Sequence, residues 1–304
     1  MSCKHTVSTY EFFKLYPDEK AAILYLENRR WHNGVVCPLC GSERASRQKD
    51  YRYHQCKDCR GKFTIRTGTI FGRSHISLEK WLYAMYLLQT ARKGISSLQL
   101  SKELGITQKS AWFMLHRLRE ACGVEAVKLT GVIEVDEAYI GGKEKNKHGN
   151  KKLRAGRGAV GKTAVFGIRE RGGSVKALVV QKTDKHTLQG AITHHVEKGA
   201  TVYTDEYSAY IGLEGYHHES VNHSAKEYVN GMVHTNGIES FWAVLKRGYN
   251  GVYHHMSTKH LHRYVNEFTF RLNEGNVKLH TLKRIDSLVD QVIGKRLTYK
   301  ELIT

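Results

Sequence analysis

HTNGIESFWAVLKRGY, residues 234–249, reads as one helix. Asn236 suits an N-cap and puts Glu239 in the first turn. Lys246 follows seven residues later, two turns or roughly 10.5 Å along nearly the same face. Ile238, Trp242 and Leu245 recur at three- and four-residue steps as an apolar stripe. Such a helix carries a carboxylate, a cation and an amide on one flank, a set able to meet a metal ion and a phosphate. The pattern also fits a surface helix whose Glu and Lys are merely solvated. The rest of the chain decides between them.

With 304 residues, two or three domains are expected. There are 48 Lys and Arg against 29 Asp and Glu, a net charge of +19 with histidines neutral, which favours a polyanionic partner. Nucleic acid comes first and an anionic membrane surface second. No apolar run approaches the roughly 20 residues that span a bilayer, and WLYAMYLL, residues 81–88, is far shorter. The N-terminus has no apolar h-region, so no secretion signal is read and a cytoplasmic, nucleoid-associated protein is expected. Six cysteines in that setting argue for metal or free thiols rather than a disulfide scaffold.

Cys37, Cys40, Cys56 and Cys59 form a CxxC…CxxC set with the spacing of a tetrahedral zinc site. Alternation at Tyr51 and Tyr53, and again at Phe63 and Ile65, predicts short hairpin strands, hence a zinc ribbon. A redox CxxC is the competing reading, but nothing nearby reads as a thioredoxin-like unit. Cys3 and Cys122 are left over as ordinary thiols. Arg52, Lys57, Arg60, Lys62 and Arg66 around the ribbon point to DNA backbone contact, though basic hairpins also serve solubility. Before it, residues 9–30 read as one helix capped by Thr9, or as two short ones divided at Pro17.

LEKWLYAMYLLQ, residues 78–89, is an apolar packing helix. ISSLQLSKELGITQKSAWFMLHRLREA then has the layout of a helix-turn-helix. Leu98, Leu100 and Leu104 anchor its first helix, Gly105 turns the chain, and Thr107 caps the second. Ala111, Met114, Leu115 and Leu118 form the buried face. Gln108, Lys109, Ser110, His116, Arg117 and Arg119 are expected outside, where they suit phosphates and base edges. A plain packing hairpin would share the pattern.

GVIEVDEAYIGG, residues 131–142, is strand-like and closed by a glycine pair. Residues 143–162 carry eight Lys or Arg and one Glu, a basic loop placed for target or flanking DNA. TAVFGIRE and SVKALVVQK read as strands joined by RGG, DKHTLQGAITHHVEKG as a helix with Asp184 near its cap, and TVYTDEYSAY as a strand ending at Asp205. That order implies a sheet with helices on its faces, within a multidomain α+β chain. Asp136 and Asp205 each close an apolar strand, and Glu239 lies 34 residues beyond Asp205 on a helix. Three carboxylates on separate elements can hold two Mg²⁺ (or Mn²⁺) about 3.5–4 Å apart for phosphodiester chemistry. Glu134 or Glu137 is an alternative to Asp136.

The stretches RRWHNGVVCPLCGS, CKDCRGKFTIRTGTIFGRSHISLEKWLYAMYLL, VDEAYIGGK, YTDEYSAY and HTNGIESFWAVLKRG resemble a bacterial insertion-sequence transposase of the DDE superfamily, in the ISXO-like branch with an N-terminal zinc ribbon. The likeness spans most of residues 20–270. It implies a ribonuclease H-like mixed α/β catalytic domain that cleaves and joins transposon ends by two-metal phosphoryl transfer. It implies Asp136, Asp205 and Glu239 as the catalytic carboxylates. Asn236 is the rival or helper at the third place, because some members use an asparagine there. Lys246 would touch DNA near the scissile phosphate, with Arg247 beside it. The implied division is 1–72 for the N-terminal helix and ribbon, 73–126 for the helix-turn-helix, 127–275 for the catalytic domain, and 276–304 as a C-terminal tail. Partners are double-stranded DNA at transposon ends and target, and a second copy of the chain when two ends are paired.

Two rivals remain. One is a non-catalytic DNA-binding regulator, a domesticated derivative with the same ribbon and helices. The other is a nuclease using HLHRY, residues 260–264, in which a His pair and Tyr264 form a phosphotyrosine link.

Overall fold

Capping groups split the N-terminal apolar stretch where Pro17 falls. Ser8 starts α1 (Thr9–Leu15) through a capping box with Glu11, and Asp18 starts α2 (Glu19–Arg30) by accepting from Ala21 N. Two short helices form, and the first cap is Ser8 rather than Thr9. The computed structural model describes residues 6–48, 53–123, 128–142, 144–153, 159–221, 234–274 and 276–304. Cys3, Tyr51, Arg52, Lys143 and the core of the basic loop, 154–158, fall outside them. The chain divides into one unit of Met1–Gly123 with Glu274–Thr304, and a second of Val124–Asn273.

In the first unit, β1 (Ala45–Arg47), β2 (His54–Cys56) and β3 (Lys62–Phe63) form an antiparallel three-stranded ribbon. The same unit contains α3 (Leu78–Thr90), α4 (Ser97–Leu104) and α5 (Gln108–Cys122). Gly105 takes φ 58°, the left-handed turn that ends α4, and Thr107 caps α5 at Ser110 N. The expected buried face of α5, Ala111, Met114, Leu115 and Leu118, is buried. Leu98 is 57% exposed and anchors nothing; Leu100, Ser101 and Leu104 make the buried side of α4.

His116, Arg117 and Arg119 do not project outward, which corrects the sequence expectation. All three are buried. The Arg117 guanidinium donates to the carbonyls of Leu297, Ile70 and Gly72 at 2.8–3.0 Å, so it joins chain segments. The cause is a layer that periodicity could not reveal. Residues 276–304 are no tail: α9 (Thr281–Asp290) and α10 (Tyr299–Ile303) belong to this unit, and Ile70 N donates to Val292 O. Arg66, expected on DNA, is likewise committed within the fold, donating to Glu19 and to the carbonyls of Ser74 and Ile76.

The second unit is a five-stranded sheet of order β6-β5-β4-β7-β8. Its strands are β4 (Val132–Ile140), β5 (Thr163–Glu170), β6 (Val175–Val180), β7 (Thr201–Thr204) and β8 (His217–Ser220). β4, β5 and β6 pair antiparallel, whereas β7 runs parallel to β4 and β8 parallel to β7. Strand alternation sorts the core into two layers. Ile133 and Val135 of β4, with Phe166 and Ile168 of β5, pack with Leu188 and Ile192 of α6 (Lys185–His195). Ala138 and Ile140 pack on the opposite face with α7 (Asn236–Gly248) and α8 (Leu261–Asn273). β8 was not legible: its residues are mostly exposed and lack apolar alternation, and only parallel pairing with β7 makes it a strand. No helix among the described residues is long and apolar enough to cross a membrane.

Candidate active site and zinc centre

Asp136 does not close a strand; it sits mid-way along β4, opposite Gly167 of β5. The strand end lies next door. β7 stays in register with β4 as far as Glu134 opposite Tyr203, then stops at Thr204. Carried on by two residues, that register brings Asp136 alongside Asp205, the first residue past β7. Asp205 leaves the strand direction by accepting from Tyr207 N at 3.0 Å. Glu137 projects to the α6 face and takes the Tyr210 hydroxyl as donor. Carboxylate oxygens of Asp136, Glu137 and Asp205 lie within 4.8 Å of one another.

α7 supplies the opposite wall. Asp136, Glu137, Asp205, Thr235, Glu239, Trp242, Ala243 and Lys246 line one cavity of about 410 Å³. Trp242 Nε1 donates to Asp136 Oδ2 at 2.9 Å while Glu137 N donates to Oδ1 at 2.8 Å, which fixes the carboxylate plane. Thr235 Oγ1 donates to Glu239 Oε1 at 3.1 Å. Glu239 and Lys246 thus share a face, as two helical turns require. Glu239 stands outside the tight cluster that Glu137 completes. Asn236 is exposed and does not line the cavity, and Arg247 does not either. The N-cap is Thr235, not Asn236. Tyr264 is buried among the α7–α8 contacts and meets Tyr253 edge to face, so the HLHRY alternative has no exposed nucleophile.

Crowding marks the cluster electrostatically. Burial pushes the Asp136 carboxyl from 3.8 up to about 6, with the charges of Asp205 and Glu239 adding repulsion against the pull of its two donors. Burial likewise pushes Glu137 up to about 7, opposed by the Tyr210 hydroxyl and helped by Asp205 and Asp136. Like charges held this close want a counter-cation, and all the donors are hard oxygens. The residues fit Mg²⁺ or Mn²⁺. Sequence offered Glu137 only as a substitute for Asp136; its place in one cluster with Asp205 depends on where β7 ends.

The four ribbon cysteines also fit their ion. Cys37 and Cys59 sulfurs are 3.8 Å apart, Cys40 and Cys56 3.6 Å, and all four lie within 4.8 Å. Zinc–sulfur bonds of about 2.3 Å set tetrahedral edges of about 3.8 Å. Backbone N–H groups of Cys59 and Asp58 favour the Cys56 thiolate that a metal needs, whereas, against the Ser42 N–H, the crowded thiols of Cys59, Cys56 and Cys37 push Cys40 up.

The chain thus combines a four-cysteine ribbon that fits structural zinc with a mixed sheet carrying clustered carboxylates. The family model for the ISXO2-like transposase domain matches residues 128–273, and that for the transposase zinc-ribbon domain matches residues 17–62. An uncharacterized protein in transposable element ISH50 of Halobacterium salinarum is 32% identical over 249 residues, covering 77% of this chain and 84% of that protein. The chain belongs to the ISXO2-like transposase family. Its acidic cluster fits a DDE nuclease. Among solved structures, a chain of the simian T-cell lymphotropic virus intasome with PP2A regulatory subunit B56 gamma is 14% identical, with a TM-score of 0.30 over 61% of this chain. The chain spans 65% of that intasome chain. A chain of the Mos1 strand transfer complex is 12% identical, with a TM-score of 0.20 over 62% of this chain and 75% of that one. Likenesses this faint establish nothing further about the fold.

Proposed function

We propose that the protein binds the terminal inverted repeats of its own insertion sequence, cleaves the phosphodiester at the ends, and joins the freed 3′-hydroxyl to target DNA. The carrying observation is the convergence of Asp136, Glu137, Asp205 and Glu239 on one cavity that Lys246 also lines. Asp136, Asp205 and Glu239 would hold the divalent ions, with Glu137 beside them. When bound, Mg²⁺ or Mn²⁺ supplies Lewis acidity to the phosphoryl oxygens and raises the acidity of the attacking hydroxyl or water. The chain's own work is positioning. Trp242 orients Asp136, Thr235 orients Glu239, and Lys246 offers its ammonium to a phosphate. The mixed sheet, with one carboxylate on β4 and another just past β7, supports the ribonuclease H-like reading.

Recognition would fall to the ribbon and to the α4–α5 pair read as a helix-turn-helix. Gln108 and Lys109 are exposed at the start of α5, and Ser110 is half-buried there. DNA leaving the acidic cavity would cross a second one of about 610 Å³, lined by Lys162, Lys182, Lys259, Tyr139 and Thr183 among others, and by no carboxylate. Tyr139 is three residues past Asp136, ~10 Å along the strand. Pairing two ends calls for a homo-oligomer acting on the nucleoid in the cytoplasm. The test is Mg²⁺-dependent nicking of end DNA by the purified chain. Asp136→Asn and Asp205→Asn should each abolish nicking and leave end binding intact. Nicking by either variant, or without a divalent ion, would refute the proposal.

A further inference from the structure

Glu134 lies two residues before Asp136 on β4, so both carboxylates face α7. Unlike Asp136 it does not line the cavity, and it is only 1% exposed. Its oxygens are fully engaged. Oε2 accepts from Ile238 N at 2.9 Å and Oε1 accepts from Arg171 Nε at 2.9 Å, while Arg171 Nη2 donates to His234 Nδ1 at 3.0 Å beside them. Ile238 is the third residue of α7, and its N–H is one that a helix start leaves without an internal acceptor. The cap side chain would ordinarily accept it. Thr235 makes no such bond, because its hydroxyl is turned to Glu239. A carboxylate from the sheet therefore caps the helix, and the cap residue is released to hold a site carboxylate.

The spacing of these contacts matches. Ile238 and Trp242 are four residues apart, ~6 Å of helix, and Glu134 and Asp136 two residues apart, ~6.6 Å of strand. The bonds Ile238–Glu134 and Trp242–Asp136 are thus two rungs between α7 and β4. Arg169, opposite Glu134 on β5, ties α7 to the neighbouring strand by donating to Gly237 O and to Ser240 Oγ. The approach needs a glycine: a Cβ on Gly237 would stand 2.4 Å from Glu134 Oε2.

We infer that Glu134 is a positioning residue for the transposase site. It sets the depth and rotation of α7 on β4, so that Glu239 enters the cavity level with Asp136. This rests on the divalent-ion reading of that cavity. An amide at 134 keeps the size but has only one acceptor oxygen, so an N–H must meet either Ile238 N–H or Arg171, and one of those two bonds is lost.

The test measures Mn²⁺ binding by electron paramagnetic resonance and nicking kinetics on end DNA, using the full chain. Glu134→Gln should weaken Mn²⁺ binding at least about tenfold and lower kcat as much, the usual reach of groups behind metal ligands. KM for DNA should stay within about twofold. Gly237→Ala, which crowds the carboxylate without removing charge, should reproduce the pattern. Glu134→Gln combined with Arg171→Gln, where the second amide can accept from the first, should recover part of kcat. If Glu134→Gln only lowers the melting temperature while its folded fraction binds Mn²⁺ and turns over as wild type, the inference is overturned. If Glu134→Gln does not fold, Gly237→Ala decides by the same readouts. Absence of Mn²⁺ binding in the wild-type cluster would instead sink the divalent-ion reading itself.

Discussion

Lowering the pH from 7 to 5 should weaken divalent-ion binding at the acidic cluster about tenfold through Asp136 alone. Its carboxyl sits at about 6, against 3.8 when unburied. It is then about nine-tenths ionised at pH 7 and about one-tenth at pH 5, and a cation that needs the carboxylate loses the ratio, ~1.4 kcal/mol. Glu137, near 7, adds to the loss to the extent that it too must ionise. The same shift acts on stability without metal. A carboxyl raised in the folded state stabilises that state fully below about pH 3.8 and loses the contribution as pH rises through about 6. The metal-free unit is therefore roughly 3 kcal/mol worse off at pH 7 than in acid on this account, and a bound cation removes the penalty. Calorimetric Mn²⁺ titration at pH 5, 6 and 7, beside thermal melts with and without Mn²⁺, reads both quantities. Trp242 is the only tryptophan in Val124–Asn273 and donates to Asp136, so its fluorescence offers a local check. Equal Mn²⁺ affinity at pH 5 and 7, or an Asp136→Asn variant with the wild-type profile, would refute the reasoning.

Other perturbations separate the parts. Among the described residues the ribbon core is Cys37, Cys56 and Phe63 with Trp31, Val35 and Ala45 against it, a small core, so chelating zinc should melt it and change Trp31 fluorescence while the carboxylate unit keeps its transition. Gly167→Ala would place a Cβ 2.5 Å from Trp242 Cζ2; an overpacking cost of about 1–3 kcal/mol and a drop in nicking from a displaced indole are expected, measured by denaturant melts and end cleavage. Arg117→Ala should cost about 2–4 kcal/mol by stranding three carbonyls, with sequence preference unchanged; weaker DNA binding at unaltered stability would restore the outward role. Replacing Lys162, Lys182 and Lys259 with Ala should flatten the salt dependence of DNA binding by about 0.9 for each phosphate no longer neutralised, seen as the slope of log affinity against log salt.

What could be read from the chain alone is what neighbours in sequence decide. Cys37, Cys40, Cys56 and Cys59 announce a tetrahedral site through spacing, and Thr107 and Asp184 announce helix starts through the N–H groups behind them. The seven-residue step from Glu239 to Lys246 places both on one cavity wall because helical pitch is local. Long-range registers were out of reach. Only the parallel pairing of β4 with β7, and the end of β7 at Thr204, brings Asp205 to Asp136 and draws Glu137 into the cluster. Only the closeness of α7 to β4 makes Glu134 a cap rather than a rival ligand. Arg117 and Arg119 look like solvent residues by periodicity, because a single amphipathic stripe assumes one buried side. The segment carrying Leu297, some 180 residues on, encloses Arg117 from a second side, and no local pattern encodes a contact made at that separation.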